Sequence, residues 1–287
     1  MAAVEPVDGP GPGDGAVAVV IGHPVEHSLS PVIHNAAFAA GGLDWHYFAL
    51  TVPDGQAAAA VAAMRSLGVA GMSVTMPHKD AVAALVDART AVADALGAVN
   101  CVFWRGDELV GDNTDGAGFI DALRQDEGWE PAGRRAVVLG AGGAARAVVL
   151  GLADAGAAEV VVVNRSADRG AVAAALAGDR GRLGSIADVS DADLVVNATS
   201  VGMGDGALPL DPSLLGPHQL VFDLVYEPPV TPLVAAARER GAVGVTGLGM
   251  LIHQAAHAFR RWTGQEPSVE AMSAAASAAL AHRRLHR

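Results

Sequence analysis

The sequence predicts an α/β fold in two domains, on three observations. Short β-rich apolar runs alternate with Ala-rich helical stretches, the pattern of mostly parallel sheets joined by crossover helices. A second series of such runs begins after the polar stretch EGWEPAGRR, whose Gly and Pro mark a connection. That series opens with a glycine turn set between a strand and a helix, the local pattern of a Rossmann-type dinucleotide-binding domain.

Composition agrees with this class and narrows the partners. The 287 residues suffice for two modest domains at roughly 100 to 200 residues each. With 51% hydrophobic and 17% charged residues, the chain belongs with soluble globular proteins and away from disordered ones. Its longest apolar runs are broken by Gly, Pro or charge well short of a bilayer span, so no transmembrane helix is expected. Residues 1 to 15, MAAVEPVDGPGPGDG, have neither the basic flank nor the apolar core of a secretory signal and read as a flexible tail. Folding is expected to begin near Ala16. The single cysteine, Cys101, allows no intrachain disulfide and fits a reducing cytoplasm. A net charge of -12 argues against broad contact with nucleic acid or an anionic membrane, so an anionic small molecule has to meet a local positive pocket.

Taken in order, the first strands are AVAVVIG (16 to 22), WHYFALTV (45 to 52), VAGMSVTM (69 to 76) and AVNCVFW (98 to 104). Between them lie the helical stretches PVIHNAAFAAGG and QAAAAVAAMRSLG, the second stopped by a glycine. The second series runs AVVLG (136 to 140), EVVVVN (159 to 164), DLVVNATS (193 to 200), LVFDLVY (220 to 226) and GAVGVTG (241 to 247). The spacing of most starts fits one βα unit each. From pattern alone, the helices beyond about Leu248 are free to join either domain.

The glycine turn carries the clearest ligand signal. In AVVLGAGGAARAVVLGLADAG, Gly140, Gly142 and Ala145 match G-x-G-x-x-G/A, with the strand before and helix after that the motif requires. The first glycine makes a tight turn, the second admits a pyrophosphate to the backbone, and the helix N-terminus offers unpaired amides. The next strand ends in NRSADR. An NAD-preferring domain places an acidic residue there, whereas an arginine accommodates a 2′-phosphate, so Arg165 and Arg169 point to NADP.

The first domain holds a compositional oddity. Of the 19 Lys and Arg residues only Lys79, in SVTMPHKD, is a lysine. Arginine stays charged at any accessible pH while a lysine can give up a proton, so a retained lysine marks a candidate acid-base position. In HSLSPVIHNAAF, Ser28 and Ser30 would project to one side of an extended backbone, and Ser30 before Pro31 also suits a helix N-cap. A cap and a carboxylate site are compatible at a helix N-terminus. Pro77 ends a strand and opens a loop, so Thr75 and Lys79 are expected at one cleft. Asn100 is a polar amide in an apolar strand; its partner is either backbone or a hydroxylated ligand. In GDNTDG the spacing is wrong for a calcium loop. Asp112 reads as a turn residue and Asp115 as the carboxylate to accompany Lys79. His253 and His257 share a helical face, but without the Glu of a metalloprotease motif or a third ligand no metal is expected there, nor at His23, His27 and His34.

The ordered series SLSP, VTMPHK, GAVN, GDNTDG, GAGGAARA, NRS, NATSVGM, DLVYEPPVTPL and GLGMLIHQAAHAF resembles the shikimate dehydrogenase family along nearly the whole chain beyond the tail. The resemblance implies an N-terminal α/β substrate domain (16–117 plus 248–287), an NADP-binding Rossmann domain (118–247), and C-terminal helices that return to the substrate domain. It implies reversible reduction of 3-dehydroshikimate to shikimate with NADPH, in aromatic amino-acid biosynthesis. Carried over residue by residue, Ser28 and Ser30 would hold the substrate carboxylate with Tyr226 nearby. Thr75, Lys79, Asn100, Asp115 and Gln254 would bind the ring hydroxyls, with Lys79 and Asp115 catalytic. Gly140, Ala141, Gly142, Gly143 and Ala144 would cradle the pyrophosphate, and Asn164, Arg165, Ser166 and Arg169 would surround the adenosine phosphate. Thr199, Met203, Leu224, Gly247 and Met250 would line the nicotinamide side. One departure stands out: the family's common Asn-Val-Thr is here Ser73-Val74-Thr75, and serine reaches less far than asparagine.

The implied chemistry is hydride transfer coupled to proton transfer through Lys79 with Asp115 in support. Two alternatives remain at the level of sequence. One is a relative acting on quinate or an amino-substituted shikimate; the other is a catalytically silent NADP-binding regulatory module. The partners expected are small molecules only, with the chain a monomer or a homodimer.

Overall fold

The computed structural model describes residues 15–204 and 206–285; apart from Gly15, the tail expected over 1 to 15 lies outside the described residues. The chain divides into two compact units. One runs to Thr114 and resumes at Ile252; the other spans Asp115–Leu251.

The first unit contains β1 (Ala16–Gly22), α1 (Ser30–Ala40), β2 (Trp45–Thr51), α2 (Ala57–Leu67), β3 (Gly71–Val74), α3 (Lys79–Ala83), β4 (Ala88–Arg89), α4 (Ala91–Leu96), β5 (Cys101–Arg105) and β6 (Glu108–Asp112). Its sheet has the order β2-β1-β3-β5-β6-β4. β1 runs parallel to β2 and β3, while β5 is antiparallel to both β3 and β6. β4 is again parallel to β6, so three of the five strand pairs in this half are parallel as expected; the antiparallel β5 is the exception, because a tight turn after Arg105 returns the chain directly through β6. The strand expected over 98 to 104 begins at Cys101, so Asn100 precedes the strand rather than lying in it. α2 ends as expected at a glycine, Gly68, in the left-handed region at φ 67°.

The core of this unit gathers Ile21, Met64, Met72, Val74, Val82, Val102 and Leu109, all buried. An aromatic group seals the other side. His34 stacks on Tyr47 at 4.4 Å, and Phe38 lies 5.2 Å from Trp45 and 5.4 Å from Phe259. The last of these comes from α9 (Leu248–Thr263), which is followed by α10 (Val269–Leu285). Trp262 of α9 lies over Gly71, where a Cβ would meet its ring at 2.6 Å, and its Nε1 donates to the Val102 carbonyl at 3.0 Å. Arg283 of α10 donates to the His27 carbonyl at 3.0 Å. The C-terminal helices therefore pack on the first sheet by a glycine notch, an indole hydrogen bond and a guanidinium contact.

The second unit opens with α5 (Asp115–Asp121) and continues through β7 (Arg135–Leu139), α6 (Gly143–Asp154), β8 (Glu159–Val163), α7 (Ala167–Ala175), β9 (Gly181–Leu183), β10 (Leu194–Asn197), β11 (Leu220–Asp223), α8 (Pro232–Glu239) and β12 (Val243–Thr246). All its strand pairs are parallel, in the order β12-β11-β10-β7-β8-β9. This is the doubly wound order whose switch point falls between the first and fourth strands, here β7 and β10. Both faces are buried. Ala136, Val138, Val160, Val162, Leu194, Val196 and Phe222 face one core, and Val137, Leu139, Val161, Val195 and Val221 the other. That is why these strands read as unbroken apolar runs. The stretch 127–135, read as a connection, lies inside this unit.

Candidate active site

In the first unit, strand direction places the candidate residues at one end of the sheet. β1 and β3 are parallel and end at Gly22 and Val74, so the loops carrying Ser28 and Thr75 leave together. β5 is antiparallel, with Cys101 opposite Ser73 and Asp112, so Asn100 and the segment after Asp112 reach the same end. Main-chain bonds join these pieces. The Val74 amide donates to the Asn100 carbonyl at 2.7 Å, and the Val99 amide donates to the Lys79 carbonyl at 3.0 Å. Lys79, half-buried, begins α3, and buried His78 before it shares a 2.7 Å hydrogen bond between Nε2 and the Val52 carbonyl. Gly22 makes the loop crossing feasible, because a Cβ there would sit 2.4 Å from the Thr75 methyl group.

Both polar atoms of the Asn100 side chain have a partner in Thr114. Its Oδ1 accepts from the Thr114 amide at 2.8 Å, and its Nδ2 donates to Thr114 Oγ1 at 3.0 Å. Asp115 follows Thr114 directly and is itself buried, at the start of α5. The turn reading of Asp112 is corrected. Its buried carboxylate accepts from Thr90 Oγ1 at 2.6 Å, the Asn113 amide at 2.8 Å and Arg261 Nε at 2.9 Å. A carboxylate flanked by glycine and asparagine reads as a turn in sequence, since its arginine partner lies 149 residues away.

The serine pair departs from expectation in one respect. Ser30 is the first residue of α1 and not its cap; Leu29 occupies the cap position in an αR conformation, so the backbone is not extended. No side chain caps α1; Ser28, one residue before the cap position, accepts from the Ser30 amide through its Oγ at 3.1 Å. Ser30 is buried, and its side chain and that of Ser73 approach the hydroxyl of Tyr47, which meets no partner at full hydrogen-bond geometry. Burial first of all pushes the Tyr47 phenol well above its ordinary range. His34 beside it is held neutral, its pKa lowered to about 3 by burial. The thiol of Cys101 is pushed up by burial and then by Asp112, so it is no nucleophile at neutral pH. Gln254 lies half-buried on the part of α9 that belongs to this unit. Among the described residues, no three His, Cys, Asp or Glu side chains are grouped to hold a metal.

In the second unit the glycine turn follows β7 at the switch point. Gly140 has φ 109°, and a Cβ there would lie 3.0 Å from the Ala198 carbonyl. Gly142 and Gly143 have open space at their Cβ positions, so their backbone can be approached closely from outside. Ala141 is buried and Ala144 half-buried at the start of α6. After β8, Asn164 Nδ2 donates to the Ser166 carbonyl at 2.9 Å, and Ser166 Oγ caps α7 by accepting from the Arg169 amide. Arg165 and Arg169 are exposed, which leaves a small cationic rim where an acidic residue would otherwise stand. At the ends of β10, β11 and β12, Thr199, Leu224 and Gly247 lie on adjacent strand termini. Tyr226 is half-buried two residues beyond Leu224. Met203 is 62% exposed, whereas Met250 is buried in the core with Phe119 and Phe222.

A doubly wound parallel sheet with a glycine turn at its switch point, joined in one chain to an α/β unit with a lysine at the mouth of its sheet, is the architecture of a dinucleotide-binding α/β protein. Family models identify which one. Residues 20–102 match the shikimate dehydrogenase substrate binding domain, 123–202 the shikimate / quinate 5-dehydrogenase model and 247–276 the shikimate 5'-dehydrogenase C-terminal domain. The chain belongs to the shikimate dehydrogenase family. It is 49% identical to the NADP(+) shikimate dehydrogenase of Citrifermentans bemidjiense over 276 residues, covering 92% of this chain and 95% of that protein. It is 46% identical to that of Moorella thermoacetica over 268 residues, covering 89% and 90%. Its fold is similar to the shikimate 5-dehydrogenase of Thermus thermophilus solved in complex with NADP(H) and shikimate, at TM-score 0.86 and 39% identity, covering 92% and 99%.

Proposed function

We propose that the chain catalyses the reversible reduction of 3-dehydroshikimate to shikimate with NADPH, as an enzyme of aromatic amino-acid biosynthesis. The observation that carries this reading is the stitching of the Lys79, Thr75 and Asn100 segments at one sheet end, in a chain of this family.

NADP fits the second unit on features of this chain. The tight Gly140 turn, the unobstructed Gly142 and Gly143 backbone, and the exposed Arg165 and Arg169 suit a pyrophosphate and a 2′-phosphate in turn. Gly140 to Ala144 would hold the pyrophosphate; Asn164, Arg165, Ser166 and Arg169 the adenosine phosphate; Thr199, Met203, Leu224, Gly247 and Met250 the nicotinamide side. When bound, the cofactor supplies the hydride.

The chain's own residues supply binding and the proton. Ser28, Ser30 and the N-terminal amides of α1 take the substrate carboxylate; Tyr226 is a further substrate residue of this reading. Thr75, Asn100 and Gln254 orient the ring hydroxyls. Lys79 delivers a proton to the carbonyl oxygen as it gains negative charge, and takes the hydroxyl proton back in the oxidative direction. Asp115, the residue after Thr114, is the second catalytic residue of this reading. Such acid-base help is typically worth about a hundred- to ten-thousandfold in rate. Each chain carries every residue named, so monomer and homodimer serve this reaction equally. No helix among the described residues is long and apolar enough to cross a membrane; the lone, buried Cys101 supports a reducing cytoplasm.

Purified protein given shikimate or quinate with NADP or NAD, followed at the absorbance of reduced nicotinamide, tests the proposal. Shikimate with NADP should be the best pair. Quinate with NAD as the best pair would make the chain a quinate enzyme, and no reduction with any pair would make it a binding module.

A further inference from the structure

The second unit holds a buried polar group that the reaction described above does not use. Asn197, Asp223 and Thr231 are all 0% exposed and sit at the otherwise apolar ends of β10, β11 and α8. The Asp223 carboxylate accepts from Asn197 Nδ2 at 2.9 Å, the Val225 amide at 3.1 Å and Thr231 Oγ1 at 2.6 Å. Its partners are all uncharged. Burial raises its pKa above the ordinary carboxylate value. Asn197 uses its remaining oxygen on Thr199, accepting from the amide at 3.1 Å and from Oγ1 at 2.7 Å. Its carbonyl accepts from the Leu224 amide at 2.9 Å.

A buried carboxylate without a cation is a costly way to join two strands, and an apolar pair of similar volume would pack as well. What this arrangement adds is direction. One rigid set of bonds fixes the Thr199 hydroxyl, the Leu224 main chain and the first turn of α8, where Thr231 Oγ1 also accepts from the Val234 amide at 3.2 Å. Gly247 closes against the same point, since a Cβ there would lie 2.1 Å from the Leu224 carbonyl oxygen.

We infer that Asn197, Asp223 and Thr231 are positioning residues that set the wall on the nicotinamide side of the cofactor site, and through it the alignment for hydride transfer. This rests on the proposed dehydrogenase reading. The network bonds directly to the strand ends bearing Thr199 and Leu224; it meets the glycine turn only by packing, Gly140 against Ala198 and Thr199, and the Arg165 and Arg169 rim not at all, so its main effect should fall on the nicotinamide half of the dinucleotide.

The test compares Thr231→Val, Asp223→Asn and the conservative Thr231→Ser. For the first two, the Kd of NADPH should rise about tenfold, as expected when one good polar contact set is lost, while that of adenosine 2′,5′-bisphosphate stays within about twofold. Turnover should fall roughly ten- to a hundredfold, and the isotope effect on kcat with NADPH deuterated at the transferred position should increase as hydride transfer becomes limiting. Thr231→Ser, which keeps the hydroxyl, should restore wild-type values. A lower melting temperature with unchanged NADPH affinity and isotope effect would reduce the network to a structural one. Equal weakening of both ligands would likewise overturn the inference. Should Asp223→Asn fail to fold, the threonine pair decides. Wild-type protein inactive toward shikimate would count against the proposed reaction, and the two Kd values would still judge the network.

Discussion

The Asp112 carboxylate, 5% exposed, accepts a 2.9 Å hydrogen bond from Arg261 Nε and so ties the helix that carries Gln254 to the strand that leads into Thr114. The Arg261 guanidinium also lies 5.4 Å from the Phe103 ring centre. Removing the carboxylate leaves the arginine, the Thr90 hydroxyl and the Asn113 amide without their acceptor. Because Arg261 keeps partial access to water, Asp112→Ala should cost about 2 to 3 kcal/mol, below the full penalty of a wholly buried pair. Urea unfolding at unchanged slope checks this; a loss under about 0.5 kcal/mol would place Asp112 among ordinary surface residues.

Acid should weaken the fold through His34. An unfolded imidazole takes up its proton near pH 6.5, while His34, enclosed by Tyr47 and Trp262, resists until about pH 3. Unfolding therefore binds a proton between those values. Stability from this residue is fully present above pH 6.5 and declines as pH falls through the window, by up to about 1.4 kcal/mol per pH unit. Urea midpoints at pH 7, 6 and 5 should fall more steeply for the wild type than for His34→Phe, and equal slopes would refute the assignment.

The two glycines of the cofactor turn should fail in different ways. Gly140→Ala forces a side chain onto φ 109° against the Ala198 carbonyl and should cost about 1 to 3 kcal/mol of stability. Gly142→Ala has φ -77° and no atom within 4 Å of the new Cβ, so melting should hardly change. NADP affinity should nevertheless fall about tenfold or more, because the methyl group occupies the pyrophosphate's approach. Thermal unfolding beside a cofactor titration separates the two; a stable Gly142→Ala with full affinity would move the pyrophosphate elsewhere.

Cofactor choice should follow the exposed arginines. Arg169→Ala is expected to raise the KM for NADPH by roughly tenfold, in line with one charge-assisted phosphate contact, and to leave that for NADH nearly unchanged. Initial rates with the two nucleotides give the ratio, and parallel changes would show that Arg169 reads no 2′-phosphate.

The fold was legible where burial governs sequence. β1 begins and ends at the expected residues, and all five expected strands of the second unit form, because a sheet covered on both faces leaves long apolar runs. β6 was missed since Glu108 and Gly111–Asp112 break its apolar pattern, and β9 because GRL offers too little to recognise. Polar residues at strand ends were harder still. Asn197 and Asp223 each close an apolar run, a visible signal, but their pairing across 26 residues depends on sheet order that no local pattern reports. Ser30 misled for a local reason: Pro31 marks the helix start well, yet the cap position falls on Leu29 and the Ser30 amide goes to Ser28 Oγ.

Lys79 is the chain's only lysine, at the first residue of α3, with its carbonyl fixed by the Val99 amide. The central claim is that it moves the proton. The most direct measurement is kcat for shikimate oxidation by Lys79→Ala, taken together with the Kd for NADP. The account predicts a fall in kcat of about a hundred- to ten-thousandfold with cofactor affinity unchanged. Turnover within about twofold of wild type would contradict it, because no general acid-base step worth this much could then pass through Lys79.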